Sequence, residues 1–164
     1  DLNFYIMNSH HTVAIGTWEG DKQQSIEYNS SIAVGIDCPR AKLRVSILLD
    51  TIQEYQVRYI FSDEEISEAV NEAGLIIGAR GIAYEGVLQR KPVIVVGEYG
   101  FGGLVTPDTL HEQYNNYFRG KINGIKAEYF SLERLEEEIR RGFALTFQEL
   151  QMMSNQTIRF LHNI

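Results

Sequence analysis

Apolar positions along this chain follow two alternating patterns: short continuous runs, and stripes recurring every three to four residues. Continuous runs fall at residues 31–36 (SIAVGI), 75–77 and 93–96, with a shorter strand expected at 57–61. Short runs of aliphatic residues bounded by glycine or turn formers read as strands buried on both faces. Helical stripes stand between them. Pro39 suits a first helical position and introduces a helix to about residue 55, with Leu43, Ile47, Leu48 and Ile52 expected on its inner face. Ser62 with Glu65 three residues on forms a capping-box pattern ahead of Ile66, Ala69, Val70 and Ala73, and Gly74 is the expected stop.

The second half continues in the same manner. Thr106 and Pro107 predict a helix to about residue 118 with Leu110, Tyr114 and Tyr117 on one side. A brief extended piece at 127–130 precedes Ser131, which caps a charged helix at 132–141 with Leu132, Leu135 and Ile139 as its apolar stripe. The final stretch, 146–161, is expected to bury Phe147, Leu150, Ile158 and Leu161. In the opening third, 3–7 and 12–15 look like strands and 16–22 like a loop. Strands alternating with helices predict an α/β fold, a Rossmann-like three-layer sandwich with a mostly parallel sheet and helices on both faces.

One unit in this pattern carries chemistry. The run at 75–77 ends at Gly78, and after a short helix the run at 93–96 ends at Gly97. In an open parallel sheet the ligand crevice lies beyond the carboxyl ends of the strands, where Gly78, Ala79, Arg80 and Gly81, and the loop Gly100, Phe101, Gly102 and Gly103, would both stand. The first turn opens a helix whose free amides and dipole favour an anion, and a phosphate suits that position. Glu85, one turn into the helix, has the chemistry to accept hydrogen bonds from ribose hydroxyls. Gly16 and Thr17, after the strand at 12–15, form a candidate second phosphate loop.

Length and charge narrow the classes. The 164 residues, 44% hydrophobic, suffice for one sizeable core and one domain, and are too few for two nucleotide-binding domains. A net charge of −7, with basic residues scattered among acids, argues against nucleic acid as a partner. The single Cys38 excludes an internal disulfide, and no stretch has the length and apolarity of a spanning helix or leader, so a cytoplasmic location is expected. Adjacent His10 and His11, isolated His111 and His162, and the absence of an Asp-x-Asp pair predict no metal site and no cofactor. Neither a lysine-ending P-loop nor a Gly-x-Ser-x-Gly elbow occurs. The run Glu133, Glu136, Glu137 and Glu138 with Arg134, Arg140 and Arg141 reads as a solvated helix face.

The string IGARGIAYEGVLQRKPVIVVGEYGFGGLVTPD resembles the nucleotide-binding half of B-type bacterial glycosyltransferases, a fold shared with nucleotide-sugar 2-epimerases. The resemblance extends over roughly residues 73–120, including NNYFRG at 115–120. It implies diphosphate contacts from Ala79, Arg80 and Gly81, a ribose contact from Glu85, and donor contacts from the loop at 100–103. Many family members carry two Glu residues around this region, and here no earlier Glu fills the first place. The resemblance also implies a partner: a nucleotide-diphosphate sugar held by this domain, with an N-terminal acceptor domain absent from the chain. Any peripheral membrane contact would come through that absent half, and the face it leaves open allows a homo-oligomer. An epimerase-type domain and a non-catalytic assembly module are the open alternatives.

Overall fold

A computed structural model describes residues 8–16, 23–121 and 124–163, with 8–16 and 23–28 described through their backbone alone. Five strands form the central sheet: β3 (Ser31–Gly35), β4 (Gln56–Tyr59), β5 (Leu75–Gly78), β6 (Val93–Gly97) and β7 (Gly100–Leu104), in the spatial order β4-β3-β5-β6-β7. The first four run parallel, and β7 returns antiparallel to β6. Strands β1 (Asn8–Gly16) and β2 (Gln23–Tyr28) pair antiparallel in a sheet of their own.

Two cores lie back to back across the central sheet because alternate residues of a strand point to opposite faces. Ile32, Val34, Leu75, Ile77, Ile94 and Val96 meet α1 (Pro39–Ile52) and α5 (Leu132–Phe143) on one face. Ala33, Ile76, Val93 and Val95 meet α2 (Ile66–Glu72), α3 (Gly81–Leu88), α4 (Leu110–Asn115) and α6 (Phe147–His162) on the other. The result is the Rossmann-like three-layer α/β sandwich that the alternating pattern predicts. Among the described residues no helix is long and apolar enough to cross a membrane.

Several local expectations need correction. The glycine-rich stretch 100–103 is strand β7 rather than a loop, paired Gly97↔Gly100, Val96↔Phe101 and Val95↔Gly103 with an irregularity between Val95 and Val96. Its glycines answer crowding: a Cβ on Gly102 would stand 3.1 Å from both the Gly120 Cα and the Val95 Cβ, while Gly100 and Gly103 hold positive φ of 125° and 76°. The helix expected over 106–118 contracts to α4, because Thr106 and Thr109 bond each other across a turn and Tyr117 and Phe118 take left-handed φ of 62° and 52°. Residues 127–129 form a turn, not a strand. Ser62 makes no side-chain cap, and a 3-10 turn, Asp63–Glu65, precedes α2. Strand β2 lies where no strand was expected.

Two buried faces are also displaced. On α1 the buried residues are Ala41, Val45, Leu48 and Leu49, and Leu43 and Ile47 stand exposed. On α6, Phe147, Ile158 and Leu161 are exposed, and Met153, Ser154 and Thr157 are buried. Small side chains suit that contact: Ser154 Oγ donates to the Leu88 carbonyl of α3 at 2.9 Å, and Thr157 Oγ1 donates back to Met153 O at 2.9 Å. Nor is the charged face of α5 fully solvated, since Glu138 is buried.

Helix α6 begins at a complete capping box, with Thr146 Oγ1 accepting from Glu149 N and Glu149 Oε1 from Thr146 N, each at 3.1 Å. Replacing Thr146 with Ala is expected to lower stability by about 1 kcal/mol, read as a lower urea midpoint at unchanged slope. A midpoint equal to that of the unaltered protein would mean that packing alone fixes the start of α6.

Candidate functional site at the sheet switch point

The chain leaves β3 through α1 to reach β4 on one side, then passes through α2 to β5 on the other side of β3. The direction of strand addition therefore reverses between β3 and β5, and in open α/β sheets ligands bind beyond the carboxyl ends at such a reversal. Here those ends are Gly35 and Gly78, register partners in the ladder. They are followed by Ile36, Asp37 and Cys38 before α1, and by Ala79 and Arg80 before α3.

The turn into α3 is unusually tight. Gly78 is buried, and a Cβ there would stand 2.4 Å from the Gly35 carbonyl oxygen and 2.6 Å from Ile82 Cγ2, so its close approach is to neighbouring chain. Arg80 takes φ 56°, ψ −125°, a costly conformation for a residue with a Cβ, and its amide donates to Phe118 O at 3.0 Å. Arg80 and Gly81 are both exposed, and a Cβ on Gly81 would touch only Ile66 Cδ1, at 3.8 Å. The first bond of the helix is Tyr84 N to Arg80 O at 2.9 Å, which leaves the amides of Gly81 and Ile82 ahead of the hydrogen-bonded ladder.

Side chains from three segments converge beside this turn. Arg80 Nη2 donates to Glu98 Oε1, and Arg119 Nε lies 3.2 Å from the same oxygen. Arg119 is held independently: its Nη1 donates to Tyr99 Oη at 2.8 Å, and its guanidinium lies 5.5 Å from the Tyr99 ring centroid and 5.3 Å from that of Tyr117. The turn at 116–120 is itself clamped, with Asn116 Nδ2 donating to Gly120 O at 2.6 Å and Tyr99 N to Arg119 O at 2.9 Å. The hydrogen bond from Arg80 holds the Glu98 carboxyl below the ordinary carboxylate range, with the charges of Arg80 and Arg119 adding to it against the opposing effect of desolvation. Arg80 is raised in turn, first by that hydrogen bond, then by the charge of Glu98 and more weakly by that of Asp37. Glu98 therefore stays anionic and Arg80 cationic near neutral pH.

The other expected residues are placed differently. Glu85 is partly buried and accepts from Gln89 Nε2 at 2.6 Å; the same nitrogen donates to Ser67 O at 3.2 Å. It belongs to the seam between α2 and α3, apart from the arginine pair. Gly100 starts β7 at the mouth of the sheet beside Gly97, but Phe101 is core, stacked on Phe130 with centroids 4.7 Å apart, and Gly103 faces Glu138. Gly16 pairs with Gln23 in the two-stranded sheet, and Thr17 lies outside the described residues. Glu98, Tyr99, Tyr117 and Arg119 escaped the sequence reading as site residues. The available signals were the polar Glu98-Tyr99 pair between two glycines and an arginine inside NNYFRG.

A surface depression of about 420 Å³ shares Asn116 with the clamped turn and is otherwise lined by His111, Glu112, Asn115 and Lys121. Lys91, whose ammonium is pushed down first by burial, lies at the opposite, amino end of β6 and donates to Asn71 O at 3.2 Å. Among the described residues no group of three or more His, Cys, Asp or Glu is placed to hold a metal ion. The chain matches no family model, and no curated protein or solved structure matches it significantly, so a functional reading rests on the fold and on this cluster.

Proposed function

We propose that the switch-point cluster binds the diphosphate of a nucleotide sugar, and that the chain is the donor-binding part of a glycosyltransferase whose acceptor-binding part is separate. The observation that carries this reading is Arg80: an exposed guanidinium on a strained strand-to-helix turn after β5, aimed with Arg119 at one point, Glu98, just beyond the end of β6. Guanidinium forks match phosphate oxygens in pairs, and the amides of Gly81 and Ile82 add donors at the positive end of α3. Such a site would stabilise a diphosphate as it leaves the sugar. The sugar and the transfer reaction come from the resemblance around residues 73–120 alone.

Calorimetric titration with UDP, GDP, pyrophosphate and uridine tests it. The expected result is binding of the diphosphates, weakened about tenfold by Arg80→Gln, since one charge-assisted contact is lost. Glu85→Ala is expected to weaken UDP or GDP and leave pyrophosphate unchanged if the carboxylate turns from Gln89 to a ribose. Absence of heat with every diphosphate would overturn the proposal. A non-catalytic assembly module is the second reading, favoured by the exposed Leu43, Ile47 and Phe61 and by Glu98 already occupying both arginines.

A further inference from the structure

We infer that Glu98 is an internal occupant of the anion site: its carboxylate stands where a diphosphate oxygen would bind, and it swings aside when a multiply charged anion enters. This rests on the diphosphate reading of the switch point and adds a regulatory element to it.

The geometry has the parts such a device requires. A single oxygen, Glu98 Oε1, accepts from Arg80 Nη2 and lies 3.2 Å from Arg119 Nε as an ion pair, so the carboxylate sits at the point of convergence of two cations from separate segments. Glu98 lies in the two-residue connection between β6 and β7, with its side chain 45% exposed, so rotation about its side-chain bonds reaches water without disturbing either strand. The segments that carry the two cations are held by other contacts. Arg119 is fixed by Tyr99 Oη and by two tyrosine rings. Arg80 is fixed through its backbone, which donates to Phe118 O and accepts from Tyr84 N. When the carboxylate leaves, Arg119 keeps its tyrosine contacts, and the Arg80 guanidinium is released on a fixed backbone to meet an incoming anion.

Charge decides which ligands can displace it. Solvent-exposed ion pairs are individually weak, whereas an anion that meets two guanidiniums with several oxygens gains charge-assisted bonds that one carboxylate oxygen cannot match. A singly charged ligand merely exchanges with Glu98, but a diphosphate out-competes it. Glu98 thus acts as a threshold that admits polyanions and rejects ordinary carboxylates.

The test is titration of the 164-residue chain and of Glu98→Gln and Glu98→Ala with pyrophosphate, UDP, acetate and uridine, with thermal melting of each protein as a check on folding. Both variants are expected to bind pyrophosphate and UDP about fivefold more tightly, to gain measurable affinity for acetate, and to leave uridine unchanged. If the unaltered chain binds diphosphates and both variants bind them equally or more weakly, Glu98 is part of the binding frame and the inference falls while the diphosphate reading stands. If neither the unaltered chain nor either variant binds pyrophosphate or UDP, both fall.

Discussion

Replacing Glu138 with Ala is expected to be among the most destabilising changes on any helix of this protein, although it removes one of four glutamates in what reads as a solvated run. Glu138 is 1% exposed. Its Oε2 accepts from the Leu104 amide at 3.3 Å and lies 3.1 Å from Arg141 Nη1, while Oε1 lies 3.1 Å from Arg134 Nε. Leu104 belongs to β7, the sheet edge, where a backbone N–H has no further strand to meet, and the carboxylate substitutes for one. Truncation leaves that buried amide without an acceptor and opens a void beside Gly103, whereas the two arginines, each about half exposed, recover water. We expect a loss of about 3 kcal/mol for Ala and about 1 kcal/mol for Gln, whose amide oxygen can still serve Leu104. Urea denaturation checks the pair. Equal losses for Ala and Gln would mean that the two ion pairs, not the acceptor for Leu104, hold α5 against β7.

Glu138 also illustrates how sequence patterns mislead here. Leu135, Glu138, Ile139 and Gly142 are the buried positions of α5, an i, i+3, i+4, i+7 stripe in which the second place is a carboxylate. Hydrophobicity alone follows Leu135 to Ile139 and passes over Glu138; spacing alone would have included it. The same conflict misplaces α6, where Ser154 and Thr157 take buried positions because their hydroxyls bond backbone carbonyls in a close contact. On α1 the larger Leu43 and Ile47 draw attention from the Ala41, Val45, Leu48, Leu49 stripe that packs on the sheet.

The central strands were readable for the opposite reason. Ile76, Ile77, Ile94 and Val95 sit in the interior of a sheet covered on both faces, and burial on both faces demands an unbroken apolar run. Strand β7 carries no such signature, because its three glycines and one Phe are dictated by the chain passing over it and by pairing with β6. The site divides along the same line. Arg80 and Gly81 were readable because a strand-to-helix turn is local. The convergence of Arg80, Glu98 and Arg119 was not, because it is created by Tyr117 and Phe118 turning left-handed and delivering Arg119 across the end of β6. Positive φ at Arg80, Tyr117 and Phe118 falls within this one small region.

Gly78→Ala is expected to damage the fold at the same turn where Gly81→Ala leaves it intact, and the pair separates packing from ligand approach. At Gly78 the added methyl would meet a backbone oxygen of the adjacent strand, Gly35 O, at 2.4 Å, and Ile82 Cγ2 at 2.6 Å. Ile82 can rotate, but Gly35 is fixed in the β3–β5 ladder, so β5 or α3 must shift. Overpacking of this kind costs about 3 kcal/mol. Gly35→Ala meets only side-chain atoms of Ile82, the nearest at 2.8 Å, and should cost less, about 1 kcal/mol. At Gly81 the methyl faces open space, and alanine favours the helix, so stability should hold or rise slightly. If a diphosphate settles on the amides of Gly81 and Ile82, however, that methyl stands in its approach, and Gly81→Ala should lower UDP affinity in a protein that melts normally. Normal melting with unchanged UDP binding would move the ligand off the helix terminus and onto the arginines alone; a stable Gly78→Ala would mean that β3, β5 and α3 are less closely fitted than their contacts indicate.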